Sequence, residues 1–237
     1  MALYDELDDT SRGFTAQGGQ LNIWNSELNK YVLFIPCETL PSVVGSVNTV
    51  ENDVTTSNAI GKIKGKMSID DKDVTFLWHR DNLRRLNEFL GKQNDFLVSY
   101  PDGTGWKFTS EYTYKPDDGG ASDKVTGTMT LISSKVDDVA TLNVRDLMAK
   151  TVTITTALDS EITINKSNGS KEFTLQSNES DVTYKTSSDN SVITASVEGS
   201  KLKISTTSST ATNGIVLVQA EKSGMASWSY SILVNVE

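Results

Sequence analysis

Few side chains in this 237-residue chain are placed to do chemistry. They are His79 in Trp78-His-Arg-Asp81, Cys37 between Pro36 and Glu38, and the acidic runs Asp70-Asp-Lys-Asp73 and Asp117-Asp118 with Asp123. A hydroxyl nucleophile served by a histidine base needs a sharp turn to present it, and no Gly-x-Ser-x-Gly occurs. One His and one Cys do not supply the ligands of a zinc site. The acidic runs offer oxygen donors that suit calcium, but neither has the twelve-residue loop with a closing Glu. They read as solvated turns. His79 is expected to satisfy a helix start, and Cys37 to be a small buried hydrophobe. Asn165-Lys-Ser, Asn168-Gly-Ser and Asn178-Glu-Ser fit the glycosylation pattern, which a segment so rich in Asn and Ser produces by chance. No Gly-rich phosphate loop is present. The expectation is a protein that is not an enzyme, with no catalytic residue, no cofactor and no metal.

The elements that carry these residues change character near Lys150. From Thr151 to Glu237, Ser and Thr supply 30 of 87 residues, against 25 of 150 before it, and all four prolines lie in the first part. Two domains follow, 1–150 and 151–237, with a linker within 136–150. In the first, Gln20–Asn25, Lys30–Ile35, Gly61–Ile69, Asp73–Trp78, Asp95–Tyr100, Trp106–Tyr114 and Lys124–Ile132 alternate or run as strands. Leu83, Leu86, Phe89 and Leu90 form one apolar stripe, so a helix is predicted over 81–91, with Asp81 as N-cap and Gly91 as stop. Residues 42–60 are polar with scattered valines and read as a hairpin or loop leaving the domain. The second domain repeats short strands about every ten residues, at 151–156, 161–165, 171–177, 181–186, 192–197, 201–206, 215–221 and 226–236. That spacing reads as an immunoglobulin-like β-sandwich.

Net charge is −9 and mean hydropathy −0.32. The charge divides as 16 − 22 = −6 before residue 151 and 6 − 9 = −3 after it. Acidity on both parts argues against gripping phosphate backbones. No apolar run nears the ~20 residues of a membrane span, and the acidic start Met1–Thr10 lacks signal-peptide texture. A soluble protein completed in the cytoplasm is expected, with its single cysteine forming no internal disulfide.

The strand order, the polar stretch 42–60, the strand Gly61-Lys-Ile-Lys-Gly65, one helix after Trp78 and three strands around Pro101-Asp-Gly103 resemble the tail tube proteins of long-tailed bacteriophages. That family shares its fold with type VI secretion tube proteins. Tyr184-Lys-Thr-Ser-Ser-Asp-Asn-Ser-Val192, Ile215–Ala220 and Ile232–Val236 resemble a group 2 bacterial immunoglobulin-like domain. The chain departs from that pattern at Thr210-Ala-Thr-Asn-Gly214. The resemblance implies a mainly β protein: an N-terminal β-sandwich or barrel with one packed α-helix, and a C-terminal immunoglobulin-like sandwich. It implies a structural virion protein of the phage tail, assembled in the host cytoplasm into stacked hexameric rings that conduct DNA without binding it. Implied partners are other copies, the tape measure, the tail terminator and the tail tip, with weak bacterial surface carbohydrate for the exterior domain and no membrane.

Open strand borders in a small β-domain are an aggregation hazard unless covered or used, and pairing between copies uses them. On this reading the arm 1–15 and the loop 42–60 bridge subunits. Val47, Val50, Glu51, Asp53 and Val54 are the candidate inter-subunit or lumen residues, and Glu51 and Asp53 would repel passing DNA. The alternatives are a surface adhesin or carbohydrate-binding module, which needs an export route, and a phage head decoration protein.

Overall fold

The computed structural model describes residues 19–41, 46–52, 61–68, 71–119, 124–136 and 141–237. The chain divides into two compact units. One takes the described residues up to Asn25 with Leu33–Met148, the other Ser26–Val32 with Ala149–Glu237. The protein is mainly β, with one α-helix among the described residues.

The first unit contains β1 (Gln20–Asn25), the Leu33–Ile35 end of β2 (Lys30–Ile35), β3 (Ser46–Asn52), β4 (Gly61–Ser68), β5 (Lys72–Leu77), α1 (Arg80–Phe89), β6 (Asn94–Ser99), β7 (Gly105–Pro116) and β8 (Thr126–Val136). Six strands form one sheet in the order β2-β1-β6-β7-β8-β5, while β3 and β4 pair only with each other. The register Ile23↔Phe96↔Phe108 and Leu21↔Val98 puts these apolar residues on one face, and they are buried there. Helix α1 closes that face. Leu86 is fully buried, and the Phe34 ring meets Phe89, Phe96 and Tyr112 edge-on at centroid distances of 6.0, 5.4 and 5.5 Å. Each such buried ring contributes roughly 1.5–3 kcal/mol.

The helix starts earlier than its sequence suggests. His79, not Asp81, is the N-cap, and its Nδ1 accepts from the Asp81 amide at 3.3 Å. The apolar stripe also overreaches, because Leu90 lies past the helix end in extended conformation and is 42% exposed. Gly91 follows at φ +71°, the left-handed turn that ends the helix. Carbonyls of the last turn take outside donors: Leu86 from the Tyr112 hydroxyl (2.5 Å), Glu88 from Lys92 (3.3 Å) and Phe89 from Asn94 (3.2 Å).

The stretch read as a linker is folded over Thr141–Met148. Thr141 and Gly105 exchange backbone hydrogen bonds at 2.7 and 3.0 Å, and the Val144 amide donates to Gly103 O at 2.8 Å. Val144 is fully buried against Gly105, and the Arg145 guanidinium donates to the carbonyls of Pro101 and Asp102. On the same sheet face Asn22 is fully buried, its amide donating to Leu97 O (3.2 Å) and Ser99 Oγ (3.1 Å). Both faces of β1 and β6 are therefore core.

The second unit contains β9 (Thr151–Val152), β10 (Glu161–Ile164), β11 (Ser170–Thr174), β12 (Thr183–Ser188), β13 (Ile193–Glu198), β14 (Lys201–Thr206), β15 (Thr212–Glu221), β16 (Ala226–Ser227) and β17 (Ser229–Val236). A four-stranded sheet, β10-β17-β15-β12, and a three-stranded sheet, β11-β14-β13, bury one shared core. Ile162, Val216, Val218, Ile232 and Val234 come from the first sheet, and Ile193, Leu202 and Ile204 from the second. Period-two alternation drives this, since β14 and β15 bury every second residue. Two expected strands are interrupted, and the one expected at 171–177 ends at Thr174. The 151–156 segment keeps β9 and then a single bridge, Ile154 to Ser177. The 226–236 segment breaks at Trp228, whose amide donates to Val152 O at 3.2 Å.

Candidate interaction sites

The expectation of open borders on the main sheet needs correction at β5. The outer border of β5 is covered by the chain that follows β2. Cys37 bridges Phe76, the Glu38 amide donates to Thr75 O at 2.8 Å, and the Thr75 amide donates to Thr39 Oγ1 at 2.9 Å. The Asn82 side chain takes Leu77 O at 2.9 Å. Strand β2 ends at Ile35, before Pro36, which has no amide to donate, and residues 37–39 then pair with β5.

The β3–β4 ribbon is the exception. Its register runs Ser46↔Ser68, Val47↔Met67, then Thr49↔Lys64, Val50↔Ile63, Glu51↔Lys62 and Asn52↔Gly61. Between Val47 and Thr49 the pairing slips, so β4 carries one extra residue, a bulge beside Gly65. Both ribbon borders lack a further strand among the described residues. A two-stranded hairpin alone is marginally stable in water. Of the candidate residues, Val47, Val50 and Glu51 lie on β3, with Glu51 opposite Lys62 in register. Asp53, Val54 and the arm 1–15 lie outside the described residues.

In the second unit a groove of about 470 Å³ is lined by Asp181, Thr183, Lys185, Glu221, Lys222, Ser223, Met225 and Ser227. Both of its lysines are held in ion pairs. Lys185 Nζ lies 2.6 Å from Glu221 Oε2, and Lys222 Nζ lies 3.2 Å from Glu179 Oε2. The bond from Lys185 holds the Glu221 carboxyl below the usual carboxylate range, and the Gln219 amide adds to it at 2.6 Å. Ser229 in turn donates to Gln219 Oε1 at 2.8 Å, so the acceptor that faces the groove is oriented by a relay. Nothing in the sequence signals this groove, because its lining comes from the β12 and β15 ends and the β15–β16 turn, brought together by the Thr183↔Glu221 register.

The remaining sequence candidates are structural. Burial pushes the Cys37 thiol up to about 12, and its Sγ donates to Ile35 O at 3.3 Å. Asp117 accepts from the hydroxyls of Thr128 (2.6 Å) and Thr126 (2.8 Å), and Asp73 from Thr130 (2.6 Å), each serving its own sheet. Asp70 and Asp123 lie outside the described residues. No group of three His, Cys, Asp or Glu side chains among the described residues is placed to hold a metal ion. The Asn178 amide group bonds the backbone of Thr151 and Thr153, both at 2.9 Å, and brackets the start of the second unit.

No protein-family model matches the chain, and no curated protein matches it. Among solved structures, the crystal structure of the SPP1 Dit protein is similar at 13% identity over 84% of this chain and 79% of that one. That protein is described as a paradigm of the hub adsorption apparatus in phages infecting Gram-positive bacteria. The TM-score is 0.30, and a match that loose carries no argument about fold or role.

Proposed function

We propose that this chain is a structural subunit of a bacteriophage tail that polymerises as stacked rings into the tail tube, with residues 151–237 forming an immunoglobulin-like domain on the exterior. The observation that carries the reading is the β3–β4 ribbon, two strands with no third among the described residues, on a unit whose main sheet is covered at its β5 border by its own chain. Such a ribbon gains most of its stability by laying a border on another copy, and a head-to-tail contact of that kind closes into a ring. Val47, Val50, Asp53 and Val54 belong to that contact or its rim. Glu51 and Asp53 add negative charge beside a channel through which DNA slides without sticking. The proposed job is scaffolding and conduction, with no reaction catalysed.

Replacing residues 46–68 by a short Gly-Ser linker tests this. The variant is expected to stay folded by circular dichroism and to sediment as a monomer at concentrations where the intact chain forms rings or tubes. Tubes of normal diameter from the variant would exclude the ribbon as the contact.

A second role for the exterior domain is favoured by the groove, whose oriented donors and acceptors suit weak capture of bacterial surface carbohydrate, made effective by many copies. Particles lacking residues 151–237 should adsorb to host cells more slowly. Unchanged adsorption would remove that role.

A further inference from the structure

The groove of the second unit does not balance its charge. Its lining holds the carboxylates of Asp181 and Glu221 and the ammonium groups of Lys185 and Lys222, and Lys222 is paired with Glu179 beyond the lining. Two cations against three carboxylates leave 2 − 3 = −1. The surplus belongs to one residue. Both Glu221 oxygens are taken, Oε2 by Lys185 and Oε1 by the Gln219 amide, each at 2.6 Å. Asp181 is exposed and in no ion pair among the described residues, and it accepts one hydrogen bond there, from Ser180 Oγ at 3.3 Å. Its backbone stands at φ +56°, in the left-handed turn ahead of β12. The rest of the lining is the hydroxyls of Thr183, Ser223 and Ser227 and the half-buried Met225.

We propose that this groove selects saccharides that carry a free amine, with the ammonium group held by Asp181. This rests on the carbohydrate capture argued above and adds which sugars are held. An ammonium donates to a carboxylate in a charge-assisted hydrogen bond, about twice as strong as a neutral one. Ring hydroxyls exchange hydrogen bonds with Thr183, Ser223 and Ser227, and the Met225 thioether gives the apolar side of a ring a soft surface. A volume of about 470 Å³ is in the range that holds a small ligand. An N-acetylated sugar keeps the hydroxyl contacts and loses the charged one. An acidic sugar fares worse, because both lysines are already paired and its carboxylate would face Asp181.

The test uses the full chain and the tetramers of glucosamine, N-acetylglucosamine and galacturonate. Calorimetry gives the affinities, and hydrogen-exchange mass spectrometry reports the site whether the chain is single or assembled. The glucosamine tetramer is expected to bind roughly fivefold more tightly than the acetylated one at low salt. It should protect amides within 181–185 and 221–227, and its margin should shrink as salt rises. Asp181→Asn should bring the two affinities together. Asn adopts the left-handed backbone as Asp does, so the turn is kept, and unchanged exchange elsewhere shows that the variant is folded. Because an acidic protein attracts any cation, Glu198→Gln on β13, in the other sheet, is the control and should leave the margin intact. Protection at the groove with equal affinities overturns the proposal and leaves carbohydrate capture standing, as does a preference that survives Asp181→Asn or vanishes with Glu198→Gln. A groove that none of the tetramers protects removes capture and proposal together.

Discussion

At Gly105 there is no space for a side chain. A Cβ there would sit 2.5 Å from Val98 O and 2.8 Å from Val144 Cγ1, and the backbone carbonyl has little freedom to retreat. Gly105→Ala should cost about 1–3 kcal/mol, read as a lower urea midpoint with unchanged slope. At Asp117 the hydroxyls of Thr128 and Thr126 hold the carboxyl below its ordinary 3.8. A carboxyl depressed in the folded state stabilises above the unfolded value, and that contribution is lost as pH falls through the folded one. The urea midpoint of Asp117→Asn should therefore fall less steeply between pH 5 and pH 2 than that of the parent. An identical acid limb would show that these hydroxyls do not tune Asp117. With its thiol pushed up to about 12, Cys37 should resist alkylation at pH 8 until the protein is unfolded in urea, and rapid native labelling would contradict its covered setting.

At the scale of elements, α1 is fastened at both ends, by His79 at its start and by Tyr112, Lys92 and Asn94 at its last turn. Removing the buried Tyr112 hydroxyl by Tyr112→Phe should cost about 1–2 kcal/mol and raise amide exchange in the last turn before the sheet is affected. The helix itself was legible in sequence because Leu83, Leu86 and Phe89 repeat at helical spacing. Its cap was not, since Asp81 and His79 both suit the position and the choice depends on where the chain leaves β5. Strands β1 and β2 were legible to the residue, bounded by Asn29 and Pro36. The ordered segment 141–148 escaped notice. Val144 is its one fully buried residue, and the need for it appears only when Gly105 is seen to have no side chain of its own.

Across the whole molecule, composition and strand spacing carried the two-part reading, because Ser/Thr-rich alternation needs no long-range information. The closure of β5 by residues 37–39 could not be read, since it joins segments about forty residues apart through backbone groups that any residue supplies. The same holds for the groove, which exists only as a juxtaposition. The polar stretch 42–60 announced itself by composition, and Ser46–Asn52 within it is strand β3, in a ribbon whose borders carry no third strand among the described residues. Those borders link the fold to the proposed assembly, and they are best probed on the intact chain. Electron microscopy of purified protein across a range of concentrations should show annuli or hollow cylinders of one diameter. Single, separate particles at every concentration, with no annular species, would contradict the account.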